Sequence, residues 1–178
     1  MRVDLPTPEE PVMATVALIA GPITLEVDPQ RSSRKWALYY RARVAAFLRA
    51  TEAYLETPFH SAAAAYFTTA QGETPRVRIV GRDTVLLERQ RVGGLNNSAG
   101  LFGPDRGIFV EFELSPIGAP VLVLHEVAHF FFYDLVVAES TWLAEGIASF
   151  LPLALWQAGL FDLSNAERAA ILRHWGLG

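Results

Sequence analysis

The chain has 178 residues, 51% of them hydrophobic, a net charge of −4 and a pI of about 5.6, which suits one domain with a substantial core. The negative balance excludes an electrostatic footprint for nucleic acid. The absence of cysteine excludes disulfides, thiolate zinc sites and a cysteine nucleophile.

No stretch is expected to span a membrane. The apolar run around 121–138 is interrupted by His125, Glu126, His129 and Asp134, and the run 147–161 by Pro152 and Gln157, against the roughly 20 apolar residues that a span needs. Val12–Ala20 has a signal-like apolar core, but Arg2 stands among Asp4, Glu9 and Glu10 ahead of it, where a signal carries positive charge. No signal peptide is expected, and a cytoplasmic location is the default.

Residues 1–11, rich in proline and glutamate, read as an extended or disordered lead-in to a single domain. Val12–Asp28 is rich in Val, Ile and Leu, and Gly21-Pro22 breaks it into one or two strands. A helix is expected across about 33–57, because Trp36, Tyr40, Val44, Phe47, Thr51 and Tyr54 share one arc at the 3.6-residue period. Arg43 departs from the pattern, falling within the apolar arc; it either snorkels at the edge or clamps a substrate carboxylate. His60 reads as a surface or capping residue.

Arg76–Leu87 is expected to be one strand, alternating at first and apolar after Gly81. Gly93–Gly107 is turn chemistry throughout and reads as a loop of functional length. Ile108–Leu114 alternates, with Ile108, Val110, Phe112 and Leu114 on one side and Phe109, Glu111 and Glu113 on the other: a half-buried strand in antiparallel style. The elements together give an α+β fold.

Next comes a helix from about 118 to 136 with Pro120 at an early, tolerant position. It is apolar nearly all round, as a buried helix is, apart from His125, Glu126 and His129 in the sequence HEVAH. Positions i and i+4 leave a helix about 40° apart, so both imidazoles share a face. Such a pair can bind one zinc ion while the intervening Glu126 stands beside it as a proton acceptor. Left unpartnered in apolar surroundings these groups would be costly, and metal ligation removes that cost. Thr141 then caps a second apolar helix, about 141–151, which carries Glu145 in its first turns and which Pro152 kinks or ends. A helical hairpin brings Glu145 over the histidine pair as a third ligand. Ser164-x-x-Glu167 is a capping box for a last helix, about 165–175.

The residues His125, Glu126, His129, Trp142, Leu143, Glu145 and Gly146 resemble the pattern of the gluzincin zinc metallopeptidases, the thermolysin-like and aminopeptidase-like group of peptidase clan MA. There HExxH is followed by a helix reading W-L-x-E-G whose Glu is a ligand. The resemblance implies a zincin-like α+β fold with a small mixed or antiparallel sheet. It implies peptide hydrolysis, with Zn²⁺ on His125, His129 and Glu145 and with Glu126 as general base. It also implies that a peptide or protein substrate pairs with an edge strand leading into the zinc helix. That strand would be 108–114, with Phe109 and Glu111 against the substrate.

The match thins downstream. Gluzincins stabilise the oxyanion with a Tyr or His beyond the ligand Glu; here no Tyr follows Glu145, and His174 is the one histidine available. Tyr133, on the ligand face of a continuous helix, reads as packing. Thermolysin-like enzymes commonly place a carboxylate four residues past the ligand Glu to orient an imidazole. Ser149 stands there, so orientation is expected from elsewhere, such as backbone carbonyls. Only 33 residues follow Glu145, which implies a minimal peptidase whose cleft is open or completed by a partner or a second copy. Two alternatives stand beside this reading: a catalytically silent zinc-binding interaction module, and a metal-free helical binding protein.

Overall fold

At Gly21–Pro22 the chain first turns back on itself. The computed structural model describes residues 16–28, 34–91, 100–103, 107–111, 118–137 and 141–174. Strands β1 (Val16–Ala20) and β2 (Ile23–Val27) pair antiparallel with Ala20 opposite Ile23, so the loop is two residues long. Gly21 takes φ 64°, the left-handed first position of a primed hairpin turn, and Pro22 supplies the negative φ that follows.

Helix α1 (Arg34–Leu55) buries its predicted stripe: Tyr40, Val44 and Phe47 are at most 2% exposed, and Thr51 is fully buried because its hydroxyl donates to the Phe47 carbonyl at 2.9 Å. Tyr54, at the far end of the stripe, is 47% exposed. The helix closes with Glu56 in the left-handed region and the Thr57 amide donating to the Glu52 carbonyl, a Schellman-type stop. Short helices α2 (Phe59–Ala62) and α3 (Ala64–Thr69) follow, with exposed His60 stacked on Phe67.

Strand β3 (Arg76–Val80) is shorter than its sequence suggests. Residues beyond Gly81 form helix α4 (Arg82–Arg91) instead of continuing the strand. The amides of Thr84 and Val85 both turn back to the Gly81 carbonyl, Asp83 sits favourably in the first turn, and Val85 and Glu88 are buried at helical spacing. Inside the predicted 93–107 loop, Gly100–Gly103 forms strand β4, followed by β5 (Gly107–Glu111); residues 92–99, 104–106 and 112–117 lie outside the described residues.

The five strands form one mixed sheet in the order β1-β2-β3-β5-β4, with β2–β3 and β3–β5 parallel and the two outer pairs antiparallel. Ile23, Leu25, Val77, Ile79, Ile108 and Val110 on one face are fully buried. The expectation of an edge strand at 108–114 is therefore corrected. Strand β5 bonds to neighbours on both sides, and β4 is the edge. Phe109 is not turned to water either: it is 5% exposed, with the Arg78 guanidinium 5.1 Å from its ring centre.

Helix α5 (Gly118–Phe131) packs on α1, β4 and β5. It ends sooner than the sequence suggests, breaking at Phe132 before the short α6 (Tyr133–Val137). Tyr133 thus belongs to the next helix, where it is 3% exposed and meets Tyr66 edge to face at 5.6 Å, consistent with the packing role expected of it. Phe130 and Phe131 enter the same aromatic cluster around Phe59 and Tyr66.

Of the alternatives the sequence leaves open at Pro152, the helix takes continuation: α7 (Thr141–Gln157) runs through the proline. Proline in a helix interior forfeits about 3 kcal/mol. Leu151 and Leu155, 5% and 0% exposed, hold the two halves against the core and offset that loss. Helix α8 (Asn165–His174) opens with the predicted capping box: the Ser164 amide donates to Glu167 Oε2 at 2.8 Å, and the Glu167 amide to Ser164 Oγ at 3.2 Å. No described helix is long and apolar enough to cross a membrane.

Candidate metal centre

Helices α5 and α7 lie against each other, and three side chains meet between them. His125 Nε2 is 3.1 Å from Glu145 Oε2, His129 Nε2 is 3.6 Å from Glu145 Oε1, and the two Nε2 atoms are 3.2 Å apart. Contacts step backward along α7 as they step forward along α5 (His125 to Ser149 and Glu145, His129 to Glu145), so the pair is antiparallel as the sequence implied. His125 and His129 reach one point because they are a turn apart on one face, and their rings stand nearly perpendicular at 87°.

These separations fit a metal. Donors about 2.0–2.1 Å from a tetrahedral zinc ion lie about 3.3–3.4 Å from one another. Here the two Nε2 atoms are 3.2 Å apart and His125 Nε2 is 3.1 Å from Glu145 Oε2, close to that value, while His129 approaches the other carboxylate oxygen, Oε1, at 3.6 Å. Two imidazole nitrogens and a carboxylate oxygen are also the donor types zinc takes. The Glu145 side chain is 45% exposed while those of His125 and His129 are 13% and 5% exposed, so the group is buried on the α5 side and open on the α7 side.

Burial sets the electrostatics. Glu126 is 5% exposed. Desolvation pushes its carboxyl up to about 7; the positive His125 pulls the other way and the negative Glu145 adds to the rise. His129 is pushed down to about 4, first by burial and then by the charge of His125, with Glu145 opposing. Burial also works to lower His125, but its hydrogen bond to Glu145 and the charges of Glu126 and Glu145 outweigh it, and the net direction is upward. Glu126 therefore feels both His125 and Glu145, as a group beside the cluster would.

Ser149 is the residue that sequence reasoning misjudged. Its Oγ lies 2.8 Å from His125 Nδ1 and the residue is 6% exposed, so the imidazole's partner is the hydroxyl and not a backbone carbonyl. The signal was present: four residues past Glu145 on the same helix, Ser149 must face the same way.

Other candidates lie elsewhere. Phe109 and Glu111 belong to β5, whose backbone is committed to β3 and β4. Helix α8 packs against α5 and α7, but the side chain of His174 at its end lies outside the described residues. Arg43 serves the fold: it donates to the Asp162 carbonyl and to Glu167, and its guanidinium lies 4.4 Å from the Phe161 ring centre. Among the described residues, His125, His129 and Glu145 form the one group of this kind that could hold a metal ion. No protein-family description, curated protein or solved structure matches the chain.

Proposed function

We propose that the protein is a zinc-dependent peptidase with a zincin-like fold. The reading is carried by one observation: two imidazoles and a carboxylate converge from two adjacent helices, with one donor atom of each within 4.8 Å of the others and a buried glutamate next to the first histidine in sequence. His125, His129 and Glu145 would hold the metal. When bound, zinc supplies Lewis acidity, making a water molecule acidic near neutral pH and polarising a carbonyl group.

Glu126 does the proton work. Its carboxyl is buried, 5% exposed, and adjoins the ligand His125 in sequence, where it can take a proton from water and return it. It accepts a proton from water as the water oxygen bonds to the scissile carbonyl carbon. It then delivers that proton to the amide nitrogen as the C–N bond breaks. Among the described residues β4 is the outermost strand on that side of the sheet and lies beside α5, so β4 would be the edge for the substrate backbone in place of the interior strand β5.

The silent-module alternative is less well supported. Structural zinc sites almost always fill four positions with protein ligands, whereas among the described residues three donors gather here and one of them is 45% exposed. A catalytic site keeps such an opening.

Zinc content and cleavage of an unbiased peptide library test the proposal in wild type and Glu126→Gln. The expected result is zinc in both proteins and cleavage in the first, lowered at least about 100-fold in the second. Zinc in both with cleavage in neither returns the silent module. No zinc in either removes the metal reading.

A further inference from the structure

The partner of His125 at Nδ1 is neutral, and this bears on how firmly the centre holds its metal. Ser149 Oγ sits 2.8 Å from that nitrogen in a buried position, 6% exposed. We propose that Ser149 is the positioning residue of the metal centre, and that its lack of charge makes the zinc exchangeable, so that the protein's activity follows zinc supply. The proposal rests on the zinc reading above and deepens it.

A histidine ligand usually donates its second ring N–H to an outer partner, which fixes both the ring's orientation and the nitrogen left bare for metal. Ser149 Oγ can accept from Nδ1–H, leaving Nε2 free to face Glu145 and His129, as the geometry requires. A carboxylate in that place would do more. It would make the opposite nitrogen a stronger donor and would form a charge-assisted bond roughly twice as strong. Serine supplies the orientation without the added basicity.

A hydroxyl has a second property that a carboxylate lacks, since it both donates and accepts. It can satisfy Nδ1 whether or not that atom carries the hydrogen. The metal-free cluster has contacts of its own, with His125 Nε2 3.1 Å from Glu145 and 3.2 Å from His129. A serine therefore leaves neither the empty nor the loaded state with an unsatisfied buried nitrogen at this position. An empty state that carries no penalty at this nitrogen favours release of the metal over a site with a carboxylate in that place.

The test is zinc affinity of the full chain, measured by competition with a chromophoric chelator, in wild type, Ser149→Ala, Ser149→Thr and Ser149→Asp. The expected results are a loss of about 10–100-fold in zinc affinity for Ser149→Ala, in a chain that still folds without metal though with a lowered unfolding midpoint, and recovery to within about threefold for Ser149→Thr. Ser149→Asp should bind about tenfold more tightly. Wild-type affinity in Ser149→Ala overturns the positioning role. An Asp variant that folds and binds no more tightly overturns the exchange argument. Release of zinc from the unmodified chain to excess chelator decides that point independently of any variant: completion within minutes supports exchange, and retention for days overturns it. Failure of the wild type to take up zinc sinks the zinc reading itself and shows before any variant is compared.

Discussion

Arg43 and Glu167 meet at 2.7 Å across 124 positions of sequence, joining the first long helix to the last. The Glu167 carboxylate is shared, with Oε1 accepting from Arg43 and Oε2 from the Ser164 amide. Arg43 adds a bond to the Asp162 carbonyl and covers Phe161. Both side chains are little exposed, 16% and 10%, so removing one strands the other in partial burial. Arg43→Leu is expected to lower stability by about 2–3 kcal/mol in urea unfolding. Combined with Glu167→Gln, the losses should fall short of additive. Additivity within error would mean the two side chains touch without coupling.

Stability of the zinc-free chain should carry two opposing pH slopes. Glu126 holds its proton up to about 7 against an ordinary 4.5. As pH climbs, the unfolded chain gives up that proton first, so stability present below 4.5 is lost as pH rises through 7. His129 is the reverse, at about 4 against an ordinary 6.5. Its contribution is present above 6.5 and lost as pH falls through 4. Glu126→Gln removes the first slope and leaves that of His129 in place. The variant is thus expected to gain on wild type between pH 4.5 and 7, by up to about 3 kcal/mol, in urea titrations stepped through that range. A constant difference across the window would contradict a carboxyl buried at this position.

What could be read from the sequence was local. The α1 stripe, the Gly21–Pro22 turn and the Ser164–Glu167 box each declare themselves within a few residues, and each forms. The triad is legible for the same reason, since helical spacing fixes His125 against His129 and one hairpin supplies Glu145. The misreadings come from two sources. Val85-Leu86-Leu87 is three apolar residues in a row, which has neither a strand's nor a helix's period, so α4 looked like more of β3. Whether β5 is an edge or an interior strand depends on which distant strands adopt it, and nothing in 108–114 encodes β4 pairing beyond it.

Pro152 supplies a third test, because the half of α7 beyond it stands without help from a continuous hydrogen-bond ladder. Leu155 is fully buried there, and the Leu160 amide turns back to its carbonyl at 2.9 Å. Leu155→Ala should cost about 3 kcal/mol overall. The loss should be uneven: amide exchange in 153–160 is expected to speed up far more than in 141–151, where Ala144 and Ala148 keep their contacts. Equal acceleration along the whole helix would show that the proline does not divide it.

Glu145 offers the sharpest test of the metal centre, since its side chain is 45% exposed and carries little of the core. Glu145→Ala should therefore fold as wild type does while losing one of the three donors. Zinc affinity is expected to fall by at least about 100-fold, more than for loss of an outer partner. In the wild type, zinc must displace the proton that Glu145 and Glu126 help His125 to retain. Affinity should consequently drop as pH falls, with protons released on binding in calorimetry run in buffers of different ionisation enthalpy. In Glu145→Ala the His125 ring loses both the hydrogen bond and the charge that favoured its proton, so the residual binding should weaken less steeply toward low pH. Unchanged affinity in Glu145→Ala would mean that the metal, if it binds, sits away from this hairpin.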